Sequence, residues 1–286
     1  MRFIKLHGYG NDYLVFKADD LGAAGDLGEF ARRVCDRHFG AGSDGIAVVG
    51  RADEGGADFN VRIFNPDGSE AAMSGNGTRC AAAALVHEGV WTRAELRLST
   101  RAGVKVYRLL GGDAPGGRYR FAAEIGRPRF ESGSVPFTTD EPLERVVNHP
   151  LEVAPGETVA VTALEMCNPN CCLFVEDFAR IDWRRLGRLI ESHPRFPART
   201  NVEFVRVVSP ERVEVRIWER GVGETLSSGT GSSAAVVASH LNGLTGRSVT
   251  VETPGGRLSV EWRERDDEVV LTGAAEVVYR GEWLRG

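Results

Sequence analysis

The residues of this chain best placed to do chemistry come as a matched pair. Residues 64–86 read FNPDGSEAAMSGNGTRCAAAALV, and residues 218–240 read WERGVGETLSSGTGSSAAVVASH. With Ser74 set over Ser228 the two run in register without a gap. Val61-Arg62-Ile63-Phe64 falls on Val215-Arg216-Ile217-Trp218, Glu70 on Glu224, and Ser-Gly-Asn-Gly on Ser-Gly-Thr-Gly. Glycine tolerates positive φ and lets a ligand come close to the backbone. The first amides of a helix lack intrahelical acceptors, and the helix dipole puts partial positive charge there. A Gly-x-Gly helix start is therefore an anion site. Two such starts would clamp one small carboxylate through the amides of Gly75, Asn76, Gly229 and Thr230. Ser74 and Ser228 would then flank it on opposite faces. That arrangement suits stereoinversion at a carbon α to a carboxylate: one group removes the proton from one face and the other returns it from the opposite face. The amides would stabilise the enediolate-like charge that develops. Against this stands a plainer reading, since serine is also a common helix N-cap.

The elements that must position these residues are short. In the first half, IKLHGYGND, DGIAVVG, FNVRIFNPDG, ELRLSTRAG, KVYRLLGG and YRFAAEIG pattern as strands punctuated by Gly and Asp. Residues 27–38 pattern as an amphipathic helix and residues 77–89 as a buried, alanine-rich one. The second half repeats the plan. ETVAVTALEMCNP, CCLFVEDF, VEFVRVV, VEVRIWERG, SVTVETPGG, LSVEWRE and EVVLTGAAEVVY are strand-like, and residues 182–192 and 231–243 helix-like. The expected fold is α+β, with two pseudo-symmetric domains. Each wraps a mostly antiparallel sheet around a central helix that starts at the Ser-Gly-x-Gly turn. The expected division is 1–123 plus 275–286, and 124–274, with the Pro-rich stretch from Arg127 to Pro142 as the connection.

Composition excludes several classes. With 42% hydrophobic and 26% charged residues, the chain reads as soluble and globular. No apolar run approaches a membrane helix, and MRFIKLHGYGND has no apolar signal core. A net charge of -5 gives no basic footprint for nucleic acid. Five cysteines, an odd number, point to a reducing cytoplasm with the thiols in the core. Cys167-x-x-x-Cys171-Cys172 is not a zinc spacing, so no metal is expected.

The motifs KLHGYGNDYLVF, DGIAVV, FNPDGSEAAMSGNGTRC, MCNPN, SHPRFPARTNVEF, ERGVGETLSSGTGSSAAV and TPGGRLSVEW span nearly the whole chain. Together they resemble diaminopimelate epimerase, a family of cofactor-independent amino-acid epimerases of lysine and peptidoglycan biosynthesis. The resemblance implies two pseudo-symmetric domains with the active site in the cleft between them, an amino-acid substrate, no cofactor, no nucleic-acid or membrane partner, and a homodimer, although nothing in the sequence fixes the oligomeric state. It implies that Asn11, Asn65, Asn168, Asn201, Glu219 and Arg220 grip the distal end of the substrate. An arginine pairs with a carboxylate, and carboxylate and amide oxygens accept from an ammonium. The chain departs from the family at the chemistry. The family's acid/base pair is two cysteines, here Ser74 and Ser228, and a histidine usual near the thiols is Asn170. A serine hydroxyl is a weaker acid than a thiol by several pKa units, at about 1.4 kcal/mol per unit. The leading expectation is epimerisation of LL- to meso-diaminopimelate with Ser74 and Ser228 as the acid/base pair. Altered isomerase or dehydratase chemistry on an amino acid, or a weakly catalytic diaminopimelate binder, are the alternatives. Glu70 and Glu224 read as structural, and Cys80 as too deep in its helix to replace Ser74.

Overall fold

The computed structural model describes residues 1–22, 25–52 and 56–284. In chain order its strands and helices are β1 (Arg2–Gly8), β2 (Asn11–Lys17), α1 (Leu27–Cys35), β3 (Ile46–Arg51), β4 (Phe59–Phe64), β5 (Glu70–Ala71), α2 (Gly75–His87), β6 (Glu95–Thr100), β7 (Gly103–Asp113), β8 (Arg118–Gly126), β9 (Val146–Ala154), β10 (Glu157–Glu165), β11 (Pro169–Phe174), α3 (Trp183–Glu191), β12 (Asn201–Ser209), β13 (Arg212–Glu219), β14 (Gly223–Thr225), α4 (Gly229–Leu241), β15 (Ser248–Thr253), β16 (Gly256–Trp262) and β17 (Val269–Glu282). None of these helices is long and apolar enough to cross a membrane. The chain divides into two compact units, one of residues Met1–Glu124 with Thr272–Gly286 and one of Ile125–Leu271.

In the first unit the strands pair in the order β17, β1, β2, β3, β4, β6, β7, β8, and β8 returns to β17. The sheet thus closes on itself, which leaves no long free edge. From β17 through β8 along this order the pairs are antiparallel except β2–β3 and β4–β6, which are parallel. The closed sheet encloses α2, which touches β1, β2, β3, β4 and β6. Helix α2 can sit there because Ala81–Ala84 are small and apolar on every face; all four are buried. Helix α1 is amphipathic and lies on the outside of the sheet. Its Phe30, Ala31, Val34 and Cys35 pack against Leu14, Phe16, Ile46, Val48 and Phe64. It ends at Cys35, short of residue 38, because the Asp36 carboxylate accepts from the His38 and Phe39 N–H groups, both at 2.7 Å. Such a local turn competes with the helix ladder.

The second unit repeats this plan. Its pairing order is β9, β10, β11, β12, β13, β15, β16, with β11–β12 and β13–β15 parallel and the rest antiparallel. The buried helix is α4, which touches β10–β13, β15 and β16. Helix α3 covers the other face, where Trp183, Leu186 and Ile190 pack on Val202 and Phe204. Two features depart from the sequence reading. The stretch around residues 127–142 is no loose connection, since Val135 and Phe137 sit in the core of this unit and Arg129 bridges to Glu165. Strand β9, not expected, carries Pro150 and a positive φ at Asn148, features that normally argue against a strand.

The glycines of the two helix starts do not use positive φ. Gly75, Gly77, Gly229 and Gly231 all lie within α2 and α4, and none is left-handed. What matters is the missing Cβ. At Gly77 a Cβ would stand 2.9 Å from a Tyr13 ring carbon and 3.0 Å from Ile63 Cδ1. At Gly231 it would stand 2.8 Å from Glu203 Oε1 and 3.3 Å from Ser228 Cβ.

Candidate active site

Ser74 and Ser228 hold equivalent places: each is the N-cap of its buried helix, with extended backbone at φ -131°. Ser74 Oγ accepts from Gly77 N–H at 3.1 Å, and Ser228 Oγ accepts from Gly231 N–H at 3.3 Å. Capping takes one lone pair of each hydroxyl and leaves its proton and a second lone pair for other partners. The amides of Gly75 and Asn76, and of Gly229 and Thr230, fall in the first turns, where no intrahelical acceptor exists.

The first unit adds three groups around Ser74. Tyr13 Oη and Ser74 Oγ are hydrogen-bonded at 2.7 Å. Arg79, one turn into α2 and 1% exposed, donates from Nε to the Ala274 carbonyl at 2.9 Å and through Nη2 to Asn76 Oδ1. Its guanidinium lies over the Tyr9 ring, and Tyr9 Oη accepts from Ala274 N–H. Tyr9 and Gly10, both at positive φ, make the tight turn that joins β1 to β2. Asn11 follows that turn and donates to Asp44 Oδ2 at 3.0 Å. Asp44 and Asp12 are both held by Arg37, and Asp12 also by Lys5. Burial pulls the Asp12 carboxyl up, but its bonds from Arg37 and Lys5 outweigh that and hold it below the usual carboxylate range. Asn65 sits in the turn from β4 to β5, where its Nδ2 donates to Ser69 Oγ at 3.0 Å.

The second unit joins its polar residues through Asn170, which is fully buried. Asn170 Nδ2 donates to the Asn168 carbonyl at 2.7 Å and to Asn168 Oδ1 at 3.0 Å, and its Oδ1 accepts from Asn201 Nδ2 at 3.3 Å. Asn201 Oδ1 accepts from Arg220 N–H at 2.9 Å. Asn168, Asn201 and Arg220 are thus one network. Glu219 ends β13 beside it. Arg220 Nη1 donates to the Ala198 carbonyl at 2.8 Å. The turn that carries Glu219 and Arg220 is held by Glu191, a buried carboxylate on α3 that accepts from Trp218 Nε1 at 2.8 Å and Gly221 N–H at 2.7 Å and pairs with Arg199.

Residues absent from the sequence reading therefore matter to this geometry, among them Tyr13, Arg79, Glu191 and Glu203. Glu203 carried a faint signal, a lone acid inside the apolar run NVEFVRVV; Tyr13 and Glu191 carried none. Glu70 and Glu224 are ion-pair partners of Arg62 and Arg184, two bonds each, in keeping with a structural role. All five cysteines are free thiols; Cys167 alone is exposed, against the expectation that all lie in the core. Burial pushes the Cys80 thiol up to about 12, so no thiolate is available beside Ser74.

The family model described as "Diaminopimelate epimerase" matches residues 3–119 and 162–278. A curated relative, "Diaminopimelate epimerase" of Pelotomaculum thermopropionicum, is 44% identical over 99% of both chains. Among solved structures, a phenazine biosynthesis protein of the PhzF family from Bacillus anthracis has a TM-score of 0.71 at 16% identity, covering 100% of this chain and 99% of that one. A probable proline racemase from Agrobacterium radiobacter, with bound carbonate, has a TM-score of 0.71 at 16% identity, covering 100% and 93%. These two likenesses concern the fold. The matched family model and the full-length relative show that the chain belongs to the diaminopimelate epimerase family.

Proposed function

We propose that the protein is a cofactor-independent epimerase that inverts one Cα of LL-diaminopimelate to give the meso form. Ser74 and Ser228 hold the two acid/base positions, one for each face of Cα. The amides of Gly75, Asn76, Gly229 and Thr230 take the reacting carboxylate and the charge that develops on it. Asn11, Asn65, Asn168, Asn201, Glu219 and Arg220 hold the distal amino-acid end. The observation that carries this reading is the network of Asn168, Asn170, Asn201 and Arg220, anchored on the buried Asn170 and Asn201, because it fixes amide groups and the backbone of an arginine for an α-amino-acid end. A hydroxyl is a poorer acid/base group than a thiol, so the reaction runs through proton partners of the serines. The enzyme acts in the cytoplasm on a small molecule and, as the family resemblance implies, as a homodimer. Calorimetry with LL-diaminopimelate tests the reading. Saturable binding that lysine does not reproduce and that Asn201→Ala weakens supports it; no binding at about 1 mM, where even a 4 kcal/mol interaction registers, refutes it.

A further inference from the structure

Glu203 is a carboxyl with no exposure, in the middle of β12. Side chains on β12 alternate. Val202 and Phe204 join the core against α3, while Glu203 turns to the opposite face, against Gly231 of α4. Its Oε2 accepts a weak bond from the Cys172 thiol at 3.7 Å, and its Oε1 has no hydrogen-bond partner among the described residues. That unpartnered oxygen and Ser228 Cβ bound the same corner, the space a Cβ of residue 231 would fill. Ser228 Oγ reaches the same glycine through its N–H. A buried carboxyl with an idle oxygen is costly and calls for an explanation.

The repeat sharpens the point. Gly77 is the counterpart of Gly231, and its corner is closed by Tyr13, whose hydroxyl binds Ser74 Oγ. Ile217 on β13 pairs with Glu203, whereas its repeat partner Ile63 pairs with Ala47. The carboxyl is thus present under one helix start only, while the other has the phenol. Each serine has an O–H acid beside its capping glycine.

We propose that Glu203 is the proton partner of Ser228, passing a proton to and from its hydroxyl while Ser228 exchanges one with the substrate Cα. This deepens the epimerase reading and rests on it. Ser228 Oγ and Glu203 Oε1 share no hydrogen bond in this structure, so the relay requires the Ser228 hydroxyl to turn toward Oε1. In the protonating direction the Ser228 O–H breaks as the Cα–H forms, the Glu203 O–H breaks as the Ser228 O–H reforms, and the negative charge of the carbanion ends on the Glu203 carboxylate. The reverse direction retraces the same path. No free alkoxide is formed, which removes the main handicap of serine. Glu203 touches the turn of Ser228 and not the substrate, so it is a positioning residue. Burial, then the charge of Glu219, pushes its carboxyl well above the usual range, which favours the protonated form. The titratable side chains facing it are Cys172 on β11 and Glu219 on β13; the first turn of α4 brings no charged side chain.

Two measurements test this. In S228C, alkylation of the introduced thiol, resolved by peptide mass from Cys167, is followed against pH with and without E203Q. Coupling predicts that E203Q moves the thiol midpoint by about half a pH unit or more; an unmoved midpoint overturns the proposal, whatever the substrate. In Cα deuterium exchange, E203Q slows the Ser228 protein about a hundredfold, the scale of general acid–base assistance, with diaminopimelate binding unchanged. The same substitution in S228C costs far less, because a thiol needs no relay. An equal loss in both backgrounds means a purely structural role and overturns the proposal. Failure of the wild-type protein to bind diaminopimelate would instead count against the epimerase reading, with the thiol titration still deciding this one.

Discussion

Replacing Asn170 by aspartate is the sharpest perturbation of the second unit, because it changes donors into acceptors without changing shape. Asn170 Nδ2 serves two acceptors, the carbonyl and Oδ1 of Asn168, at 2.7 and 3.0 Å. In Asn170→Asp both face an oxygen instead; the Asn168 carbonyl keeps its bond from Met166 N–H at 2.9 Å, while Asn168 Oδ1 loses its donor, beside a side chain with no exposure. The acceptor left unpaired costs about 1–3 kcal/mol, to which the approach of the new oxygen to both acceptors adds. At about 2–4 °C per kcal/mol for a domain of this size, the transition that includes this unit falls by at least about 2–12 °C at pH 8. The bond from Asn201 Nδ2 survives, since Oδ1 remains an acceptor. The sign of the pH dependence follows from burial. The introduced carboxyl has a folded pKa above its unfolded value of about 3.9, so the unfolded state sheds its proton first. The penalty is therefore full above the folded pKa and shrinks as pH falls through it, when the introduced carboxyl regains its proton and can donate once more. Thermal unfolding of parent and variant from pH 8 to pH 5 measures this, and calorimetry should show diaminopimelate binding weaker by about tenfold, or 1.4 kcal/mol. A variant as stable as the parent at pH 8, or a gap that does not narrow on acidification, would refute the reasoning.

Further outcomes follow from the same geometry. Tyr13→Phe removes the 2.7 Å partner of Ser74 but keeps the ring against Gly77, so Cα exchange should fall about tenfold or more while stability drops by only about 1 kcal/mol; unchanged exchange would remove Tyr13 from the account. Arg79→Met strands Asn76 Oδ1 and the Ala274 carbonyl, and denaturant unfolding should register a loss of about 2–5 kcal/mol. Ser74→Cys with Ser228→Cys should raise epimerase turnover, read by chiral separation, since a thiol's pKa near 8.5 lies closer to neutrality than a hydroxyl's. Asp12 is held below its unfolded pKa by Arg37 and Lys5, so its stabilisation is present above about pH 4 and lost as pH falls through the folded value; Arg37→Leu should raise the midpoint of acid unfolding.

The repeat and the four helices were readable because their signals are local. Ser-Gly-x-Gly followed by alanines marks both a cap and a helix small enough to be enclosed by a sheet, and the 3.6-residue pattern of Leu27–Cys35 marks α1. What escaped is set by pairing between distant strands. Tyr13 reaches Ser74 because β2 lies against α2, Glu203 reaches Gly231 because β12 lies against α4, and the parallel register of β11 and β12 sets Cys172 beside Glu203. Nothing in GNDY or NVEF announces those partners. Strand β9 was hidden by Pro150, which a strand tolerates where pairing is irregular. The glycines were recognised for conformational freedom, whereas the structure uses only their lack of a Cβ. Glu191 was invisible for a similar reason: its role as anchor of the Glu219–Arg220 turn exists only once α3 lies beside β13.

The central claim is that this serine-bearing member of the family still moves protons at Cα on both faces. Incubation with LL-diaminopimelate in D₂O, followed by proton NMR and chiral separation, tests it directly. The account predicts deuterium at one Cα together with meso product. Saturable binding with no deuterium entering Cα would contradict it, and would leave the paired helix starts as a carboxylate cradle without the chemistry.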